Sequence, residues 1–196
     1  MTARKSLHWK AFLLALGIST AVFLPFVIYN GGYFIFIGDF NAQQIPFYKL
    51  VHQAVREGNF GWSWTTDLGA NFIASYSFYN LTSPFFWLTI PFPNDWVPFL
   101  MAPLLILKNA CAALTSYFYL ARFVRRREFA VLGSLLYAFS GFMFYNTFFN
   151  HFHEVVGFFP LLLIGMEELV KNNRRGFFAV AVALNAVVNY WFFIGS

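Results

Sequence analysis

Nineteen consecutive residues, Ala11–Tyr29, carry no charged side chain. At 1.5 Å per residue a helix of that length reaches about 28 Å, close to the hydrocarbon thickness of a bilayer. Four further apolar stretches follow, residues 96–120, 129–149, 155–170 and 177–194, and the only charges within them are Lys108, Glu167 and Glu168. Charged residues make up 11% of the chain, against roughly 25% in a soluble domain. That shortage excludes a disordered chain, a secreted disulfide scaffold and an ordinary cytosolic enzyme. It predicts an all-α polytopic membrane protein with about five transmembrane helices, at 11–29, 96–120, 129–149, 155–170 and 177–194. Residues 1–196 form a single transmembrane domain in this reading, with an outer loop over 30–95. The first run leaves through Leu24-Pro25-Phe26 rather than through small residues, so it reads as an uncleaved spanning helix and not as a signal peptide. The chain stops inside an apolar run after an odd number of helices, which is expected of the N-terminal portion of a longer protein. Cys111 stands alone, so neither an internal disulfide nor a Cys/His metal spacing is available.

The net charge of +5 is sorted along the chain. With the N-terminus in the cytoplasm and the spans alternating, Arg4, Lys5, Lys10, Arg122, Arg125, Arg126, Arg127, Lys171, Arg174 and Arg175 all fall inside, ten of the 13 basic residues. This is the positive-inside pattern, and it explains the basic clusters without a nucleic-acid partner. Within the outer loop, Gln44–Glu57 is periodic as an amphipathic helix. Ile45, Leu50, Val51, Ala54 and Val55 form one side, Lys49, His52, Gln53 and Arg56 the other, and Gly58 is placed to cap its end. Such a helix is expected on the outer membrane surface. Leu81–Phe92 is apolar but too short to span, and reads as an interfacial or re-entrant piece. Asn80-Leu81-Thr82 is a glycosylation sequon on the outer side.

In a helical bundle in lipid the polar exceptions carry the information. Asp39 lies among apolar and amide neighbours just ahead of the amphipathic helix. A carboxylate at such a boundary can serve as a general base; the alternative is that Asp39 or Asn41 caps that helix. His151, His153 and Glu154 cluster in the outer turn between the third and fourth spans, where they could bind a metal or phosphate, shuttle a proton, or simply make a polar turn. Lys108 stands near the middle of its helix, and burying an unpaired ammonium there costs about 3 kcal/mol. It needs an intramolecular carboxylate or an anionic substrate to offset that cost.

Several segments resemble YfhO-type bacterial membrane proteins. They are Gly38-Asp39-Phe40-Asn41-Ala42-Gln43-Gln44-Ile45-Pro46-Phe47-Tyr48, Asp67-Leu68-Gly69-Ala70-Asn71-Phe72, Tyr79 to Pro84 with the following Phe85, Leu107-Lys108-Asn109, Phe159 to Leu169, and Asn189-Tyr190. The resemblance runs in the family's order over most of the chain. That family is similar to the membrane-embedded GT-C glycosyltransferases. The likeness implies a large helical bundle in the bacterial plasma membrane with an active site on the outer face. It implies a polyprenyl-phosphate-linked sugar as donor and a cell-envelope polymer, such as teichoic or lipoteichoic acid, as acceptor. It places the catalytic base on Asp39 and a second outer carboxylate on Glu154, where the family tends to have Asp, a departure that counts against a strict metal geometry. Lys108, His151, His153, Gln43 and Gln44 are then expected at the substrate, with a divalent metal as an optional cofactor. Two other classes compete. A transporter or flippase for a lipid-linked or anionic substrate predicts paired broken helices and internal symmetry, neither of which the sequence displays. A non-catalytic membrane scaffold explains the hydrophobicity but not Lys108 or Asp39.

Overall fold

The computed structural model describes residues 7–66 and 68–195. Arg4 and Lys5 of the charge count and Asp67 of the resemblance lie outside the described residues. The first helix, α1, covers Leu7–Tyr29. Its buried residues are Ala11, Ala15, Ser19 and Phe23, a stripe at every fourth position that is small over most of its length. Small residues let helix backbones approach closely. The partner is α5, Val97–Leu120, which presents Ala110, Ala112, Ala113 and Ser116. The rest of α1 turns Leu13, Ile18, Val22, Leu24 and Ile28 outward, as a helix surrounded by lipid would.

The loop over 30–95 is folded. A π-helical turn at Phe40–Gln44 leads into α2, Ile45–Glu57, which ends at Gly58 with φ 70°, the left-handed C-cap expected of a glycine there. A two-residue hairpin pairs β1, Trp62–Ser63, with β2, Ala70–Asn71. Two short helices follow, α3 at Phe72–Tyr76 and α4 at Pro84–Trp87. Ser83 starts α4 by accepting a hydrogen bond from the Phe86 amide at 3.0 Å, and Pro84 occupies the first turn, where its missing N–H costs nothing. Phe85, Phe86, Tyr48 and Val51 join Met101, Leu104 and Leu105 of α5 in one core. The loop is therefore packed around the N-terminal half of α5, with Tyr48 and Val51 of α2 against it. The predicted polar side of α2 needs correcting. His52 is fully buried, with Nε2 3.1 Å from the Thr89 carbonyl. Asn80 of the sequon is buried as well, so that motif is not presented for modification.

The remaining helices are α6 (Arg127–Ala138), α7 (Gly141–Tyr145), α8 (Phe152–Asn172), α9 (Arg175–Val188) and α10 (Tyr190–Ile194). Two stretches expected as continuous spans are interrupted. The 129–149 stretch breaks at Phe139-Ser140, where Ser140 is extended (ψ 159°). The 177–194 stretch breaks at Asn189, also extended (φ −159°), whose side chain caps the next turn by accepting from the Phe192 amide at 3.2 Å. Asparagine and serine compete for backbone hydrogen bonds in this way. Three segments among the described residues are long and apolar enough to cross a membrane: Leu7–Tyr29, Asn94–Leu120 and Arg127–Phe148. The protein is thus all-α apart from the hairpin, with membrane-like helices.

Helix α8 runs parallel to α5. Glu154 in its first turn meets Lys108, and fourteen residues on in both helices Arg122 meets Glu168. Arg122 also binds Glu167 at 2.6 Å, while Lys171 and Arg174 close the ion-pair cluster. Since Lys108 lies midway along α5, α8 begins halfway down it. The N-terminal half of α5 is left for the loop to cover.

Candidate functional site

The two parallel helices and the loop meet around Lys108. Its ammonium is 2.8 Å from Glu154 Oε1, with both side chains 1% exposed. It also donates to the Asn150 carbonyl at 3.0 Å and to Asn150 Oδ1 at 3.3 Å. Ser83 donates to Glu154 Oε1 at 2.5 Å, so one hydroxyl both caps α4 and holds the carboxylate. The Tyr48 hydroxyl, wholly buried, lies beside Lys108 and Ser83 without reaching hydrogen-bond geometry to either. A buried ion pair is tolerated when both charges have further hydrogen bonds, and here the ammonium has two, both to Asn150, and the carboxylate one, from Ser83. Of the two partners proposed for Lys108 from sequence, the intramolecular carboxylate is the one present, and it is Glu154.

A second link ties the π-helical turn to the same place. His151 Nδ1 and Gln44 Oε1 are 3.2 Å apart, both groups buried, and Gln44 Nε2 donates to Gln43 Oε1 at 3.3 Å. The imidazole is walled by Phe78, Tyr79, Phe149 and Phe152. That burial, reinforced by Lys108 and His153 nearby, lowers the His151 pKa to about 3. The imidazole is neutral at pH 7, a hydrogen-bonding group and not a cation.

Asp39 is exposed and forms no hydrogen bond or ion pair among the described residues. It does not cap α2, and neither does Asn41, whose side chain folds back on the Phe36 backbone. The capping alternative therefore fails, and the apolar setting expected for this carboxylate is not there either. Asp39 is a solvent-facing carboxylate five residues ahead of Gln44. His153 is 1% exposed but makes no hydrogen bond with the cluster, because its position on α8 turns it to another face. Among the described residues no three His, Cys, Asp or Glu side chains converge as a metal site. With Glu154 engaged by Lys108 and Ser83, and Asp39 alone, the donors do not fit a divalent ion.

Sequence reasoning therefore found Lys108, Glu154, His151 and Gln44, which the fold brings together, and Gln43, which it places beside them. It missed Ser83, Tyr48 and Asn150 as parts of the cluster. Ser83-Pro84 is legible as a helix start, but no local signal tells which distant carboxylate the serine holds.

The family model described as "Bacterial membrane protein YfhO" matches residues 11–193. A Bacillus subtilis (strain 168) protein described as "Uncharacterized protein YfhO" is 25% identical over 177 residues, covering 83% of this chain and 21% of the relative. The chain thus spans about a fifth of the length of that relative. No solved structure matches. The apolar helices, the resemblance along the chain and the family match over nearly its whole length lead to one conclusion: the chain belongs to the YfhO family of bacterial membrane proteins.

Proposed function

We propose that this chain is the N-terminal part of a GT-C-like glycosyltransferase with five transmembrane passages and a cytoplasmic N-terminus. It moves a sugar from a polyprenyl-phosphate donor to a cell-envelope acceptor on the outer face. The observation that carries the reading is the polar cluster itself, in which the loop bearing the unpaired Asp39 is bonded through Gln44 to His151, three residues ahead of the Glu154 that pairs with Lys108 at the middle of α5. Buried ionisable residues in such helices mark functional sites by default. In this reading Asp39 takes the proton of the acceptor hydroxyl, whose oxygen forms the bond to the anomeric carbon. The bond from that carbon to the phosphate breaks, and polyprenyl phosphate leaves with the electron pair. The departing phosphate needs positive charge nearby. Lys108 is the cation of the cluster, held in place by Glu154 and Asn150.

The test is Asp39→Asn in the full-length protein in its native membrane. General-base assistance contributes typically 10²–10⁴-fold, or about 3–5 kcal/mol of barrier. Envelope glycosylation is expected to fall at least about a hundredfold with normal expression. Transfer at the wild-type rate by the Asn variant would remove Asp39 as the base.

One observation favours a second reading. The interruptions at Phe139-Ser140 and Asn189 give two broken apolar helices, the feature of a transporter or flippase that the sequence alone did not display. In that case Asp39→Asn leaves sugar transfer intact, and passage of a labelled lipid-linked or anionic substrate across proteoliposomes depends on Lys108 instead.

A further inference from the structure

Among the buried side chains with unpaired polar atoms, Asn109 and His153 face one cavity. Asn109, 6% exposed, donates Nδ2 to Ser19 Oγ at 3.1 Å and leaves Oδ1 unpaired. His153, 1% exposed, has neither ring nitrogen in hydrogen-bond geometry, although the ring comes near the Met143 backbone. Both line an open-sided cavity of about 220 Å³ between α1, α5, α8 and the interrupted stretch at Ala138-Phe139. Apart from Ser19 and Thr147 the rest of its wall is apolar, and the Thr147 hydroxyl is engaged by the Met143 and Phe144 carbonyls. A second cavity of about 170 Å³ adjoins it, sharing Val22, Phe23, Phe144 and Thr147 and walled further by Phe26, Phe34 and Phe36.

The chemistry of this wall selects its occupant. Water alone does not suit it. At about 30 Å³ each, roughly seven waters would fill the first cavity, and each needs two to four polar partners, where two unpaired side chains stand. Pure hydrocarbon fills the space but leaves both of them unpaired. A hydroxyl offers both kinds of partner, a donor for Asn109 Oδ1 and an acceptor for the N–H that a neutral imidazole carries. The apolar corridor then takes an aliphatic body. We propose that the chamber is a binding site for an uncharged membrane amphiphile with one hydroxyl on an aliphatic chain. The proposal is independent of the sugar-transfer reading, since it uses neither Asp39 nor the Lys108–Glu154 pair.

The experiment is photolabelling of the protein in nanodiscs with a diazirine-bearing octanol and, in parallel, a diazirine-bearing octane, with adducts mapped by mass spectrometry. The alcohol is expected to label the segment from Met143 to His153 about tenfold over the alkane, the value of one net hydrogen bond. That preference should disappear in Asn109→Leu and in His153→Phe and persist in His153→Gln, which keeps a donor and an acceptor. Should a variant fail to fold, competition in the wild type serves instead, with excess octanol suppressing the adduct and octane not. Equal labelling by the two probes, no labelling of the chamber, or a hydroxyl preference that survives both apolar substitutions would each overturn the proposal.

Discussion

Lys108 and Glu154 are each other's condition for being buried. Removing the ammonium alone leaves a carboxylate with Ser83 for company and no cation, and breaking a buried pair in this way costs about 3–5 kcal/mol. Lys108→Met is therefore expected to lower the melting temperature and folded yield in detergent sharply, while Lys108→Met with Glu154→Gln recovers most of the loss. Recovery of stability without recovery of glycosylation would separate the brace from the chemistry, and a single variant as stable as the wild type would show that the pair does not hold the fold. His151 makes a second prediction, of opposite pH sense to a paired histidine. Its folded pKa of about 3 lies below the ordinary 6.5. The unfolded chain takes up the proton first, so the contribution is complete above about pH 6.5 and is lost as pH falls from there toward 3. At pH 4.5, two units below the unfolded value, the loss is about 2–3 kcal/mol. The drop in melting temperature between pH 7 and 4.5 should be smaller in His151→Gln than in the wild type, and equal drops would mean that His151 is protonated in the folded protein.

Helices α8 and α9 form a hairpin that turns at Asn173, a non-glycine residue with φ 52°. Their contact is close at one residue. A Cβ at Gly165 would lie 3.1 Å from the Ala181 Cβ and 3.2 Å from the Phe178 Cα, and a helix backbone cannot yield as a flexible side chain does. Overpacking of this kind costs typically 1–3 kcal/mol. Gly165→Leu should therefore lower the melting temperature, with partial recovery on adding Ala181→Gly. A Gly165→Leu protein as stable as the wild type would show that α9 moves freely against α8. Element lengths followed the same physics less legibly. Apolar composition marks 129–149 and 177–194 as hydrophobic but is silent about continuity, which Ser140 and Asn189 decide by turning to extended backbone.

For the molecule as a whole, the charge distribution predicts which end faces the cytoplasm. Cysteines placed singly at Asn59 and Asn172, both exposed, test it in cells expressing a Cys111→Ala background. An impermeant thiol reagent should modify position 59 and spare position 172, and the reverse labelling would invert the topology. The ion-pair cluster of Arg122, Lys171 and Arg174 with Glu167 and Glu168 belongs to the same end as the basic residues of the count.

What the sequence determined by itself was the class and the ingredients. The shortage of charge and the apolar runs require helices in a membrane-like setting, because backbone groups there can be satisfied only within a helix or a closed barrel. The scarcity of intramembrane charge singled out Lys108, since an uncompensated ion there is costly, and Glu154 stood out in the polar turn with His151 and His153. Pairing was decided by the tertiary structure. Lys108 and Glu154 are 46 positions apart, Ser83 and Glu154 71, and Gln44 and His151 107. They meet because α8 starts beside the middle of α5 and the loop over 30–95 folds over the half of α5 that α8 leaves bare. Helical periodicity also erred on His52. It sorts residues by polarity and assumes water on the polar side, whereas here that side meets the Thr89 carbonyl and a buried hydrogen bond replaces the solvent.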